Sequence, residues 1–580
     1  MKSIRLFATC LVFLPLSLMA ADIEWPIYGG NEFHHRHSEA MQIDTSNVNA
    51  LKPAWTFKTG KDATFQVTPV VQDGVMYVSL PFNDVVALDA VTGKQIWRYQ
   101  HDLIKDYPIC CGPANRGVAV GQGKVFMGTI DARLLALDAK TGKKLWDHSV
   151  VGKNRGVQED ASSISEDFGE TSGVSSAGIN MAPVVYQDKV IVGITGVGYG
   201  LHLESPDADA PLGAVVGIAG DYGRMGFLAA YDINTGEQVW QFDTIKRNGW
   251  EGKFTQQTAD GVLLPRDIET EKATLDQYKD AWRYGGGSAW STPVIDLNTG
   301  ILHFGTGNPS PQMEGSSRPG DNLYTSSLVA VDAATGAYRW HYQQVPHDSW
   351  GYDVASPPVL FNITLNGEPV PVIGQAGKTG WFYVHDRRNG KFLYKSEAFV
   401  PQNNMFTLPT EEGNVIYPGV LGGANWSPVA LDAKKRQVYI AALHWPVEYK
   451  LHELAGENGK PGLRYSSMAP LDKSTSYGLL TAINIDTGKI VWQYQSDNPL
   501  IGGVLSTAGG LVFTGEGKGE LMAFDATSGK KVWSANTDAG VNAPPITYQI
   551  DDKQYIAVAA GGNKMFGFPA GQSLKVWALP

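Results

Sequence analysis

Cysteine is nearly absent from this chain, which holds three in 580 residues. Cys10 lies in the N-terminal apolar run, and Cys110 and Cys111 are adjacent. The Cys-x-x-Cys-His motif is missing, so the sequence predicts no attached c-type haem. If the chain is secreted, an oxidising compartment favours joining the adjacent pair through a strained ring. Two reduced, buried thiols are the alternative.

Long apolar runs are also lacking beyond the N-terminus. Lys2 and Arg5 precede an apolar stretch from Leu6 to Met19, and Ala20 and Ala21 supply small residues for cleavage. The stretch is shorter than the roughly 20 residues that span a bilayer, which argues against a membrane anchor. Residues 1–21 are therefore predicted to be a signal peptide, and the mature chain is expected in the periplasm with no membrane span.

Charge is sparse and predominantly negative. Only 18% of the residues are charged and the formal net charge is -11. This balance gives no reason to expect nucleic acid as a partner. The chain is instead rich in glycine (66) and tryptophan (16), which suits many short strands joined by tight turns.

One pattern recurs seven times. It begins with a small or apolar residue two positions before Asp or Asn, continues through a turn with glycine, and ends on an aromatic residue ten positions after its start. The copies run from Ala87 to Trp97, Ala136 to Trp146, Ala230 to Trp240, Ala330 to Trp340, Val384 to Tyr394, Ala482 to Trp492 and Ala523 to Trp533. Each copy predicts a hairpin whose Gly has a positive φ and whose aromatic residue packs sideways.

A single hairpin is only marginally stable in water, so seven copies must stack to bury one another's faces. Residues 52–59 and Val576-Trp577 are predicted strands that close an eighth unit from both ends of the chain. The sequence therefore predicts an all-β fold, an eight-bladed β-propeller with tryptophan-docking motifs, formed as a single domain by residues 22–580. Function is expected in the segments that interrupt the repeat.

Five further motifs occur in a fixed order. They are Cys110-Cys111 with Asn115-Arg116-Gly117, Gly287-Ser288-Ala289-Trp290, Gly307-Asn308-Pro309-Ser310-Pro311 with Arg318-Pro319-Gly320-Asp321-Asn322, His347-Asp348-Ser349-Trp350, and Gly423-Ala424-Asn425-Trp426. With the repeat, they make essentially the whole mature chain resemble the alcohol dehydrogenases that depend on pyrroloquinoline quinone (PQQ), the methanol and ethanol dehydrogenase family.

The resemblance implies where the cofactor binds. In the family, PQQ lies flat at the propeller axis between a tryptophan face and a vicinal disulfide, positions matched by Trp290 and by Cys110-Cys111. Arg116 matches the family arginine that binds a carboxylate of PQQ, and Lys378 matches the cation beside its quinone oxygens. Asn425 and Trp426 match residues at the edge of the cofactor. Gln66 stands where the family usually has Glu, and Asn180 where it has Thr, and both keep hydrogen-bonding capacity.

The resemblance also implies a metal, Ca²⁺ or a lanthanide, held by oxygen ligands. Asn308 matches the family asparagine. Asp221 aligns with a ligand that is usually Glu, so the metal or the loop must shift to meet the shorter side chain.

The family's catalytic base is missing. Relatives read His-Asp-x-Trp-Asp, and Gly351 occupies the final position. Asp353 lies two residues further, and on an extended segment it would face the same side. Some lanthanide-containing relatives carry an extra acid at this offset as a metal ligand. Asp353 is therefore expected to act as base, metal ligand, or both. The resemblance places Lys378, the second residue expected to be catalytic, beside the reactive quinone oxygens.

The leading functional hypothesis is a PQQ-dependent enzyme that oxidises a small-molecule alcohol, a primary alcohol or polyol, to the aldehyde. Electrons would pass to a separate acceptor such as a soluble cytochrome c. Two alternatives remain: a non-catalytic propeller scaffold, which Gly351 favours, and a PQQ-dependent sugar dehydrogenase, which differs only in its pocket.

Overall fold

The computed structural model describes residues 22–103, 112–151, 171–174, 177–196, 201–203, 214–216, 224–246, 250, 253–454 and 463–580. Cys110, Cys111 and Asp221 lie outside the described residues, as does the expected signal peptide. In the described part, no helix is both long and apolar enough to cross a bilayer.

The described residues form eight antiparallel sheets of four strands, here called blades 1 to 8. The first four blades are Val70–Gln72, Val75–Ser79, Val85–Asp89 and Gln95–Tyr99; Ala119–Gly121, Lys124–Gly128, Arg133–Asp138 and Lys144–Ser149; Val184–Tyr186, Lys189–Gly193, Phe227–Asp232 and Gln238–Asp243; Val294–Asp296, Ile301–Gly305, Ser327–Asp332 and Tyr338–Gln343. Each of these blades follows the previous one in the sequence.

The next three blades continue this order, and the eighth combines both ends of the chain. They are Val359–Leu365, Glu368–Ala376, Phe382–Asp386 and Phe392–Lys395; Ala430–Asp432, Gln437–His444, Tyr477–Asn484 and Ile490–Ser496; Val504–Thr507, Leu511–Gly515, Glu520–Asp525 and Lys531–Asn536; Ile546–Ile550, Lys553–Ala560, Ser573–Ala578 and Lys52–Lys58. A short strand, His37–Ser38, pairs in parallel with the first strand of blade 7.

Smaller elements lie between these strands. Two three-stranded sheets consist of Thr171–Val174, Leu201–Leu203 and Ala214–Val216, and of Asn414–Ile416, Val447–Leu454 and Leu463–Pro470. One short α-helix spans Ile268–Ala273, and 3₁₀ turns span Val48–Ala50, Pro81–Asn83, Ala281–Tyr284, Lys473–Thr475 and Lys564–Phe566.

The repeated motif holds neighbouring blades together. The indole N–H of Trp240 in blade 3 donates to the Ala333 carbonyl in blade 4 at 3.2 Å. A Cβ on Gly336, which has φ +72°, would lie 2.6 Å from Trp240 Cε3, so only glycine admits the ring here. Equivalent bonds join Trp55 to Ala90, Trp97 to Ala139, Trp146 to Ile233, Trp340 to Arg387, Tyr394 to Ile485 and Trp492 to Ala526. Within each of the seven repeats the first residue pairs with the aromatic one, from Ala87 opposite Trp97 to Ala523 opposite Trp533, which confirms the predicted hairpins.

The ring closes as predicted. Lys52 lies opposite Ala578 and Trp55 opposite Val576, so the N-terminal strand completes the C-terminal sheet. The rings of Trp533 in blade 7 and Trp577 in blade 8 meet edge to face with centroids 6.2 Å apart. Trp55 of blade 8 donates to the Ala90 carbonyl of blade 1, so the last blade joins the first by the same contact that joins the others.

A segment before the first blade ties several blades to one another. The buried guanidinium of Arg36 donates to the carbonyls of Tyr28, Val504 and Pro545 at 2.7, 3.1 and 2.9 Å. The last two acceptors belong to blade 7 and to the entry of blade 8. Buried charged donors of this kind need such acceptors to offset lost hydration.

Candidate active site

A cavity lies where the segments entering the blades converge. Gln66, Arg116, Asn180, Trp290, Asp353 and Trp426 precede the first strands of blades 1 to 6, and all of them line the same space. Asn308 and Lys378 reach it from the ends of the second strands of blades 4 and 5, and Asn425 neighbours Trp426. Because successive blades contribute equivalent positions, the cavity is axial. It holds about 890 Å³, counting the part open to solvent.

The nine described residues predicted for the site therefore all line one cavity. Cys110, Cys111 and Asp221 lie outside the described residues, so their predicted roles stay predictions. The cavity-lining set brings together two cations, one carboxylate, several amides and two indoles.

Arg116 stands between two indole rings. Its guanidinium carbon is 5.0 Å from the ring centroids of both Trp290 and Trp426, within cation–π range. Nη1 donates to Asn180 Oδ1 at 2.9 Å and to the Trp290 carbonyl at 3.1 Å. These contacts fix a buried guanidinium at the cavity wall, where it can bind a carboxylate.

Asp353 and Lys378 form a buried ion pair at the cavity. The other carboxylate oxygen of Asp353 accepts from Trp290 Nε1 at 2.9 Å, and Lys378 Nζ donates to the Gly351 carbonyl at 3.0 Å. A buried carboxylate is tolerable because a cation and a hydrogen-bond donor offset its desolvation. The pair places a proton acceptor and a cation side by side.

Oxygen donors for a hard cation are also present. Asn308 Nδ2 donates to the Pro309 carbonyl at 2.9 Å, which fixes the rotation of its amide. In the described residues no group of three His, Cys, Asp or Glu side chains lies close enough to hold an ion. Asn308 and Asp353 are therefore the described oxygen donors among the predicted metal ligands, and the third, Asp221, lies outside the described residues.

The turn before Gly351 explains why one acidic residue cannot replace the missing base. Asp348 Oδ1 accepts from the amides of Trp350 and Gly351 at 2.9 and 3.0 Å, and Oδ2 accepts from the Ser326 hydroxyl at 2.8 Å. Burial raises the pKa of Asp348. Asp348 thus stabilises a turn and is not among the residues that line the cavity.

The same turn corrects one sequence-based premise. The argument that Asp353 faces the same side as residue 351 requires an extended backbone, but Gly351 has φ +80° and the segment contains no strand. The expectation that the two residues face one side through strand geometry is therefore wrong. Asp353 nevertheless lines the cavity, because the chain turns at Gly351 before reaching it.

Restoring the family's aspartate at this position is expected to fail. A Cβ at Gly351 would lie 2.7 Å from Val420 Cγ2 and 2.9 Å from Gln312 Nε2, and the positive φ adds strain. We expect Gly351→Asp to lose about 2–3 kcal/mol of unfolding free energy and to gain no turnover. Chemical denaturation and dye-linked assays measure the two effects.

Gly74→Asp is a matched control for that prediction. Gly74 has φ +72° but nothing within 4 Å of its added Cβ, so it isolates backbone strain from crowding. We expect it to lose about 1 kcal/mol. Equal losses in both variants, or faster turnover in Gly351→Asp, would contradict the steric account.

Several lining residues were missed in the sequence. Val420, Leu421, Met468 and Phe566 belong to one apolar cluster and line the cavity, and Gln312 lines it too. Val420, Leu421 and Met468 lie in segments that interrupt the repeat, where function is expected but the sequence singles out no residue. Gln312 directly follows the Gly307 to Pro311 motif, so its position in the sequence was a usable signal.

A β-propeller with buried cations, amides and indoles around an axial cavity defines a cofactor-binding enzyme of the quinoprotein class. The donor set fits PQQ, whose three carboxylates need cations and whose flat rings need an aromatic face. Residues 25–405 and 398–556 match the family model "PQQ: Glucose/ethanol/alcohol dehydrogenase, beta-propeller domain".

Individual relatives support the same assignment to the quinoprotein class. The quinoprotein alcohol dehydrogenase PedH of Pseudomonas putida is 33% identical over 91% of this chain and 84% of its own length. The quinohemoprotein alcohol dehydrogenase structure from Comamonas testosteroni superposes with a TM-score of 0.76 at 29% identity, covering 96% of this chain and 80% of that one. A europium-containing methanol dehydrogenase has a TM-score of 0.74 at 27% identity, covering 96% and 98%.

The chain belongs to the PQQ-dependent alcohol dehydrogenase family. It is an oxidoreductase, and its cofactors are PQQ and a metal ion.

Proposed function

We propose that this protein oxidises a primary alcohol or polyol to the aldehyde in the periplasm, as a single propeller domain over residues 22–580 released from a signal peptide at 1–21. The observation that carries the proposal is the buried Asp353–Lys378 pair inside the axial cavity. It puts a proton acceptor next to a cation in a site lined with PQQ-compatible donors.

The cofactor would be held by residues from several blades. Trp290 would supply a flat face, with the Cys110–Cys111 disulfide proposed for the opposite one. Arg116 and Lys378 would bind its charged and quinone oxygens. Further hydrogen bonds and edge contacts would come from Gln66, Asn180, Asn425 and Trp426. When bound, PQQ supplies the two-electron acceptor for the hydrogen on the alcohol carbon.

Asp353 would take the proton of the alcohol hydroxyl on its carboxylate. Lys378 pairs with one oxygen of that carboxylate, and Trp290 Nε1 donates to the other, so the carboxylate is held in one orientation. Proton acceptance by a positioned carboxylate is general base catalysis. Lys378, bonded to the Gly351 carbonyl, is placed to stabilise negative charge beside that proton transfer.

The metal is proposed to bind at Asn308, Asp221 and Asp353, with Ca²⁺ or a lanthanide as the ion. These side chains offer only oxygen, as hard cations require. One structural neighbour is named as europium-containing, which supports testing a lanthanide here. A carboxylate at 353 would add negative charge for a trivalent ion.

The electron acceptor is proposed to be a separate protein, such as a soluble cytochrome c. The sequence contains no Cys-x-x-Cys-His motif that could attach a haem covalently. The enzyme assignment also displaces the scaffold alternative, because a scaffold has no need for a buried ion pair in a cavity. The relatives are named as alcohol or ethanol dehydrogenases, which supports an alcohol over a sugar as the substrate of this protein.

Reconstitution tests the proposal. Purified protein is incubated with PQQ and either Ca²⁺ or a light lanthanide, and dye reduction is recorded across primary alcohols, diols and sugars. We expect tryptophan quenching, a higher melting temperature through binding linkage, and dye reduction with alcohols. Faster turnover of sugars would favour the sugar dehydrogenase alternative, and neither quenching nor a melting shift under any metal would favour the scaffold.

A further inference from the structure

Gln312 is a buried polar residue in the apolar part of the cavity. Its side chain is 2% exposed, and its Oε1 has no hydrogen-bond partner among the described residues. Val420 lies beside the same point of the chain as Gln312, and Leu421, Met468 and Phe566 line the same cavity. A buried acceptor left unpaired costs free energy, so such atoms are normally satisfied by a bound molecule or a water.

The position of Gln312 places its side-chain amide beside the proposed reaction centre. Gln312 Nε2 lies 2.9 Å from where a Cβ of Gly351 would stand. The Gly351 carbonyl accepts from Lys378, and Lys378 pairs with Asp353. The space that a side chain at 351 would fill is therefore partly occupied by the Gln312 amide.

We infer that Gln312 is a substrate-specificity residue and that the substrate carries a second hydroxyl that donates to Gln312 Oε1. The substrate class is thus a diol or larger polyol, oxidised at a primary hydroxyl near Asp353. This inference rests on the proposed function and refines it. A monoalcohol would contact the same apolar side chains but leave Oε1 unpaired.

A hydroxyl donor fits this place better than an ammonium group. Apolar side chains such as Val420 line the cavity near Gln312, and an ammonium group would lose far more hydration there than a hydroxyl. A neutral hydroxyl supplies the donor at a smaller desolvation cost. Sites built to pair a substrate hydroxyl discriminate strongly against analogues that lack it.

The test compares 1-propanol with 1,2-propanediol and 1,3-propanediol in the PQQ- and metal-loaded protein. We expect kcat/KM for the better diol to exceed that for 1-propanol by at least about tenfold. In Gln312→Met, which keeps the length and removes the acceptor, the diol preference should fall to about one. Because both substrates are assayed on one enzyme, a general loss of activity cancels in the ratio.

Met468→Leu is the matched control, since Met468 lines the same cavity without a hydrogen-bonding role. It should change kcat/KM for both substrates in parallel. Tryptophan quenching by PQQ and the melting temperature of Gln312→Met should match the wild type, showing an intact fold and cofactor site.

The possible results distinguish a failure of this inference from a failure of the proposed function. Turnover of propanol and diols with equal efficiency, or a diol preference that survives Gln312→Met, overturns the inference and leaves the alcohol dehydrogenase assignment standing. No turnover of any alcohol by PQQ-loaded protein overturns the proposed function and this inference with it.

Discussion

Asp353→Asn is expected to lower kcat with an alcohol by about 10²–10⁴-fold, the usual contribution of a positioned general base. The amide keeps the size of the side chain and can still accept from Trp290 Nε1, as Asp353 does at 2.9 Å. It removes the proton acceptor and the negative charge. Single-turnover reduction of the bound cofactor measures the chemical step directly.

Metal affinity separates the two roles proposed for Asp353. Loss of turnover with metal affinity retained assigns it as base, and loss of both assigns it as ligand. Unchanged turnover would show that neither role is essential. Asp348 is then excluded as the substitute, since its carboxylate already accepts three hydrogen bonds within the turn.

The variant also leaves Lys378 as a buried cation without its counter-charge, which can cost several kcal/mol. The double variant Asp353→Asn with Lys378→Met removes both charges and should recover stability but not turnover. Asp538→Asn is the surface control. Its ion-pair partner is Lys575 and its side chain is 71% exposed, so both stability and turnover should stay unchanged.

The sequence was sufficient for the fold because the repeat encodes its own contacts. Ala230, Gly236 and Trp240 specify a hairpin, a positive-φ turn and a ring that packs on the next blade, and the structure realises all three. Such information is local in sequence. Ring closure by residues 52–58 was predictable because the C-terminal strand needs a neighbouring strand to complete an eighth blade.

Site residues could be predicted from the sequence only where a motif lies at a fixed place relative to a blade. Trp290 and Asn308 sit at fixed places relative to blade 4, so their convergence on the axis followed from the ring. Gln312 directly follows the Gly307 to Pro311 motif, which was a signal, but its proximity to Gly351, 39 residues away in sequence, could be found only from the fold. The φ angle of Gly351 could not be predicted from the sequence either, since glycine is compatible with either sign of φ.

Arg116→Met is expected to raise the dissociation constant for PQQ by at least about thirtyfold. Truncating one partner of a buried charge pair costs about 2–5 kcal/mol, and about 1.4 kcal/mol is tenfold in affinity. The guanidinium is already oriented by Trp290, Trp426 and Asn180, so little ordering opposes its bond to a carboxylate. Tryptophan quenching during PQQ titration measures the change.

Two further variants make the result specific. Arg116→Lys keeps the charge but loses the planar fork, so its affinity should lie between those of the wild type and Arg116→Met. Arg133→Met removes a guanidinium that pairs with Asp147 and does not line the cavity, so PQQ affinity should not change. Equal PQQ affinity in Arg116→Met and the wild type would show that the carboxylates are bound elsewhere. Because Lys378 is the other cation that lines the cavity, the carboxylates would then depend on it and on the amides of Gln66, Asn180 and Asn425.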